Sequence, residues 1–338
     1  MSLGAQMAGV DVVLAVEKDS HAAQTYRRNH PQTELIETSI EEVKSIDVPK
    51  TDRTSILFGG PPCQGFSTSN QRTRTRQNIS NWLFEEFIRI ADLWKPDCVV
   101  IENVKGIVET EKGLFPQRIL CDLEKIGYSC SWGLLSAVDF GVPQRRSRFF
   151  LIGTLSGKKI RMPRPLNNGK SITVREAIGD LPVLNNGANK NEMPYPTEPV
   201  STYAKFMRNG STTSTGHLVT RNAQYVVDRY KHIEQGENWE SIPEALMNNY
   251  RDRSRCHTGI YKRLRETEPS VVIGNYRKNM LIHPWSDRGL SVREAARLQS
   301  FPDSYEFCGS VGFQQQQVGN AVPPLLAKAV FESILSHV

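Results

Sequence analysis

Long apolar runs are missing from this 338-residue sequence: nowhere do roughly eighteen apolar residues follow one another, the length a membrane-spanning helix needs. The opening residues lack the basic start, apolar middle and cleavage site of a secretory leader. Cysteine is sparse, with six residues and no Cys-x-x-Cys pair, which argues for a reducing cytoplasm and against zinc. The seven histidines are scattered without metal-ligand spacing, so no metal is expected. What remains is ordinary for a soluble globular chain, 38% hydrophobic and 23% charged. The length suits one large domain with a smaller one beside it.

The formal net charge is +6, and the surplus is unevenly placed. Residues 201–280 hold 13 Lys and Arg against 8 Asp and Glu. A second basic cluster, Arg72, Arg74 and Arg76, lies in a stretch with no acid between Ser67 and Phe84. Charge alone divides evenly between a solvated surface and a polyanion site. Two basic segments flanking a loop of unusual chemistry tilt the reading toward nucleic acid.

That loop is Gly59-Gly60-Pro61-Pro62-Cys63-Gln64-Gly65-Phe66-Ser67. It follows Ser55-Ile56-Leu57-Phe58, an apolar run that reads as a buried strand, and Gly-Gly-Pro-Pro forces a sharp turn. A cysteine there would sit at the carboxyl end of a strand, where open α/β sheets place their chemistry. On its own it reads equally as a small apolar residue in a turn.

Further strands are expected at Val10–Val16, near Glu34–Ile36, at Cys98–Ile101, Tyr128–Val138 and Arg148–Gly153. Helical spacing marks residues 4–9, closed by Gly9, then His21–Asn29, and the run from Trp82 to before Pro96. Strands alternating with helices imply right-handed crossovers and a mostly parallel sheet. Residues 68–80 are polar and basic without periodicity, as in a closing loop. From Pro163 onward Pro, Gly and Asn become frequent, so about 160–275 reads as a loop-rich unit. Leu290–Asp303 is expected as a helix with Ser291 as N-cap, and Pro323-Pro324 open a final helix.

Four motifs stand in order: Gly59–Ser67, Val99-Val100-Ile101-Glu102-Asn103-Val104, Gln144-Arg145-Arg146-Ser147-Arg148, and Gly319-Asn320-Ala321-Val322-Pro323-Pro324. Together they resemble the DNA (cytosine-5)-methyltransferases, especially those of bacterial and phage modification systems. The resemblance runs from about Gly4 to about Val330 and is weakest between roughly Pro163 and Ser270. It implies an α/β fold: a mostly parallel, Rossmann-like sheet of the S-adenosylmethionine-dependent type with a smaller loop-rich target-recognition domain. Residues 1–160 would form the catalytic and cofactor-binding domain, 161–275 the target-recognition domain, and 276–338 a segment returning to the first.

The resemblance also implies roles. Cys63 would attack a cytosine, Glu102 would protonate the ring, and Arg146 and Arg148 would hold the base carbonyl. S-adenosylmethionine, leaving as S-adenosylhomocysteine, would lie against Glu17, Ser39, Ile40, Pro61, Leu83, Asn320 and Val322. Gln64 and Ser69 would fill the gap left by an extruded base, with Arg72, Arg74 and Arg76 on phosphates. Two departures stand out. Ser39 replaces an acid that bonds the adenine amino group. The family's Phe-x-Gly-x-Gly-Gly loop, one strand earlier, has no counterpart after Met1-Ser2-Leu3-Gly4 or beyond Pro324, so one strand and that loop are expected to be missing. The expected partner is double-stranded DNA, the expected form a cytoplasmic monomer, and a cognate restriction endonuclease is left open. The rival readings are a DNA-binding relic without catalysis and a tRNA cytosine-5-methyltransferase.

Overall fold

The structure, a computed structural model, describes residues 1–49, 51–61, 83–166, 169–248, 250, 256, 258–274, 276–278 and 280–337. The elements in chain order are α1 (Ser2–Met7), β1 (Leu14–Val16), α2 (Ser20–Asn29), β2 (Glu34–Ile36), β3 (Ile56–Gly59), α3 (Phe84–Trp94) and β4 (Cys98–Val104). Then come α4 (Gly106–Glu109), α5 (Leu114–Lys125), β5 (Ser129–Ser136), β6 (Ser147–Thr154), α6 (Val174–Ile178), β7 (Met193–Pro194), α7 (Thr202–Arg208), β8 (Thr213–Ser214) and α8 (Gln224–Tyr230). Helices α9 (Val292–Leu298), α10 (Val311–Asn320) and α11 (Pro324–Leu335) close the chain.

The central sheet has the order β3-β4-β6-β5, and β1 pairs with β2 in a separate two-stranded sheet. β1 runs parallel to β2, and β3 parallel to β4. β6 is antiparallel to both its neighbours, so β3, β4 and β5 share one direction and only β6 is reversed within its sheet. That reversal follows from the short link between β5 and β6, closed where Ala137 N donates to the Arg146 carbonyl at 2.8 Å.

β4 and β6 are buried on both faces, which is why their sequences are nearly unbroken apolar runs. Val99, Ile101, Phe149 and Leu151 face α3 and α5, where Phe84, Phe87, Ile119 and Leu123 complete one core. The alternate residues Cys98, Val100, Phe150 and Ile152 meet α1 and α11 through Ala5, Leu326, Val330 and Phe331. The last helix therefore packs against α1 and one face of the central sheet. Gly4 permits that contact: a Cβ there would stand 2.5 Å from the Pro324 carbonyl and from Ala327 Cβ.

A second core joins Val174, Ala177 and Tyr203 to Leu290, Ala295, Leu298 and Val318, so α6, α7 and α9 pack as one body. Ser291 caps α9 reciprocally with Glu294, as the Ser-x-x-Glu pattern requires. The helix is shorter than the sequence suggested, because Ser300 turns to φ +65° ahead of Pro302. α10 was not expected, since its sequence is rich in glutamine and lacks a clear apolar stripe. Asn320 accordingly closes α10 rather than opening the last helix, and Val322 lies in the link before α11.

Candidate active site

An open cleft of about 2650 Å³ runs between β1 and β3 and reaches across to the ends of β4 and β6. Ten expected site residues line it: Glu17, Ser39, Ile40, Pro61, Leu83, Glu102, Arg146, Arg148, Asn320 and Val322. Cys63, Gln64, Ser69, Arg72, Arg74 and Arg76 lie outside the described residues. The cleft is larger than the few hundred to about 1,000 Å³ typical of small-molecule pockets.

Strand register brings the central pair together. Glu102 stands opposite Phe150 and Val104 opposite Arg148, so Glu102 and Arg148 are diagonal neighbours on one face. Their side chains meet with Arg148 Nε 2.8 Å from Glu102 Oε1, both about 10% exposed. Burial pushes the Glu102 carboxyl above its ordinary range, and the facing Arg148 opposes that shift without cancelling it. Gly60 packs directly on this carboxylate: a Cβ there would lie 2.8 Å from Glu102 Oε2. Asn103 Nδ2 donates to the Pro61 carbonyl at 3.3 Å, tying the start of the cysteine loop to β4.

Arg146 is held by backbone carbonyls on two sides. Its Nη1 donates to the Ile273 carbonyl and its Nη2 to the Gly319 carbonyl, each at 2.8 Å. The side chain is 2% exposed. Two of its donor nitrogens are thus committed to the protein's own backbone, and only Arg148 faces Glu102 directly.

On the opposite lip, Glu17 follows β1, and its Oε1 accepts from Asp19 N at 2.9 Å. Ser39 Oγ donates to Glu41 Oε2 at 2.9 Å, so its single hydrogen is taken by a nearby acid. Ile40 is held by Arg89, whose Nη2 donates to its carbonyl at 2.9 Å. Ile40 and Leu83 are both half-buried, apolar walls of the same space, and Asn320 is exposed at the end of α10.

Sequence reasoning missed Gly60 and Asn103 as parts of the site. Their signal was position alone, beside Pro61 and Glu102 respectively. On the far wall, Gly274 and Lys278, which the sequence reading did not single out, join Val272 in lining the cleft.

Parallel strand pairs open onto the cleft and helices cover both faces of the central sheet, which makes the protein α/β. The family profile of C-5 cytosine-specific DNA methylases matches residues 1–336, and the chain belongs to that family. It is 35% identical to the type II methyltransferase M.DdeI of Desulfomicrobium norvegicum, over 98% of this chain and 85% of that one. It is also 35% identical to the type II methyltransferase M1.HphI of Haemophilus parahaemolyticus, over 99% and 83%. Among solved structures, an Escherichia coli prophage protein described as a DNA modification methyltransferase superposes with a TM-score of 0.78 at 23% identity, covering 99% of this chain and 95% of that one. The protein is a cytosine-5 DNA methyltransferase.

Proposed function

We propose that the protein moves a methyl group from S-adenosylmethionine to carbon 5 of a cytosine in a specific double-stranded DNA site, through an extruded base and a covalent Cys63 adduct. The buried Glu102–Arg148 pair in the cleft carries this reading. Carbon 5 of cytosine is a poor nucleophile, and a thiolate adding to carbon 6 turns the ring into an enamine. Negative charge then builds at ring nitrogen 3, where a neutral carboxylic acid can donate a proton. Glu102 is suited to this because burial favours its protonated form. Arg148, always charged, keeps that acid oriented and offers its remaining donors to the base carbonyl. After methylation the carbon 5 proton leaves and the thiolate is expelled, restoring the aromatic ring and the enzyme.

The lip formed by β1, Ser39–Ile40 and Leu83 fits the cofactor. Glu17 Oε1 has one backbone partner, which leaves Oε2 to accept from ribose hydroxyls at the end of a parallel strand. Ile40 and Leu83 would flank the adenine ring, with Pro61, Asn320 and Val322 closing the space. Ser39, its proton given to Glu41, can accept from the adenine amino group. When bound, S-adenosylmethionine supplies the electrophilic sulfonium methyl.

A base paired within a duplex cannot reach a buried acid, so it must rotate out at a cost of a few kcal/mol. Gln64 and Ser69 would occupy the gap, Arg72, Arg74 and Arg76 would contact phosphates, and residues 161–275 would read the target. The described residues contain no helix long and apolar enough to cross a membrane.

The test is transfer of labelled methyl to DNA, with bisulfite sequencing to locate the modified cytosines. A Cys63→Ser variant should be inactive, and the parent protein should form a covalent complex with DNA bearing 5-fluorocytosine. Label on tRNA alone would reassign the substrate. Turnover by the serine variant would remove Cys63 from its role, and failure to bind cofactor would leave the DNA-binding relic.

A further inference from the structure

Residues 268–274 lie against the turn that leads into β6, and they are fastened there from several sides. Ser270 N donates to the Pro143 carbonyl at 2.9 Å, and Arg145 N to the Ser270 carbonyl at 2.8 Å. Gln144, fully buried, accepts from Ile273 N at 2.9 Å and donates to the Leu298 carbonyl at 3.2 Å. Gln299 Nε2 donates to the Val318 carbonyl at 2.9 Å and to the Ile273 carbonyl at 3.3 Å. Arg146 bonds the Ile273 and Gly319 carbonyls at once, bridging this segment and the end of α10. Gly319 approaches so closely that a Cβ would stand 2.0 Å from the Gly274 carbonyl.

The segment so held presents Val272 to the cleft at 49% exposure, with Gly274 beside it. This wall shares the cleft with the Glu102–Arg148 pair, and Arg146 precedes β6, two residues before Arg148 inside that strand. A guanidinium is rigid and can span two acceptors in fixed geometry, which an ammonium cannot.

We infer that Arg146 is a positioning residue: by bridging the Ile273 and Gly319 carbonyls it sets the Val272–Gly274 wall against the Glu102–Arg148 pair, and so governs which target is admitted to the acid. The inference rests on the proposed reading of the cleft as the DNA site. It differs from that reading in giving Arg146 no contact with the base.

Two measurements on the full chain test it. Hydrogen exchange compares R146K with the parent protein: amides of 268–274 should exchange faster by about 10-fold while those of β6 stay protected. Unchanged exchange in that segment overturns the bridging role. The second measurement is the ratio of kcat/KM on the target found by bisulfite sequencing to kcat/KM on sites differing by one base pair. R146K should lower that ratio by about 10-fold, on the scale of a misplaced wall. A general loss of folded protein lowers both rates and leaves the ratio alone, so an unchanged ratio overturns the inference. Should R146K fail to fold, V272A, at a half-exposed position, carries the same ratio test with the same overturning outcome. If the parent protein methylates no DNA cytosine, the functional reading fails; the exchange result still decides whether Arg146 holds the wall.

Discussion

Arg148 Nε lies 2.8 Å from Glu102 Oε1 across two antiparallel strands, and the two side chains shield each other from water at the floor of the cleft. An acid in that position is caught between opposed influences, burial raising its pKa and the guanidinium lowering it, with burial ahead. Its protonation is therefore adjustable by anything that changes access to the cleft.

Removing the acid should separate chemistry from folding. Glu102→Gln keeps the shape and loses the donated proton, so kcat for methyl transfer should fall by about 10²–10⁴-fold. Glu102→Ala should in addition destabilise the fold by about 3–5 kcal/mol, because Arg148 is left buried and uncompensated. Steady-state methylation and chemical denaturation measure the two effects.

The pH dependence has a definite sign. The carboxyl of Glu102 is raised above its ordinary 4.5, so its contribution to stability is complete below that value and is lost as pH rises through the raised one. Methyl transfer should decline over the same rise as the neutral acid is depleted. Glu294 behaves oppositely. Burial alone would raise it, but Arg288 at 2.7 Å, His283 and the hydrogen bond from Ser291 N together outweigh burial and hold it at about 2. Its contribution is present above 4.5 and fades as pH falls toward 2, so Glu294→Gln should flatten the acid limb of the stability profile.

Gly60 should be intolerant of any side chain. A methyl group there would stand 2.8 Å from Glu102 Oε2, and that carboxylate cannot swing aside without leaving Arg148. Gly60→Ala is expected to cost up to about 10²-fold in kcat, the scale of a 1 Å misplacement, with little change in melting temperature. A parallel assay of activity and thermal unfolding would show it.

Arg297 predicts a purely structural defect. Fully buried, it meets Asp180 at 2.9 Å and Asp303 at 2.6 Å. Arg297→Met leaves both acids without that cation and should lower stability by about 3–5 kcal/mol, read as a lower denaturant midpoint. Protein that remains folded should keep its target preference.

Local patterns in the chain were enough to anticipate strands β1–β6 and helices α1, α2, α3, α9 and α11 and to single out the glycine-proline loop, whereas α4–α8 and α10 were not anticipated and Glu102 and Arg148 were singled out by the family resemblance. Apolar runs between turn residues need no distant partner to be recognised, and Ser291-x-x-Glu294 or Pro323-Pro324 announce helix starts by chemistry confined to one turn. α10 escaped this reading because its helix is stabilised by packing against α9 rather than by an apolar stripe of its own. Only the tertiary structure decided that Arg146 braces the Val272–Gly274 wall while Arg148, two residues later, faces the acid. In sequence the two arginines are alike. Their fates diverge because a residue entering a strand can reach the neighbouring segment's carbonyls, whereas one inside it is confined by pleat and register to the face its partner strand presents.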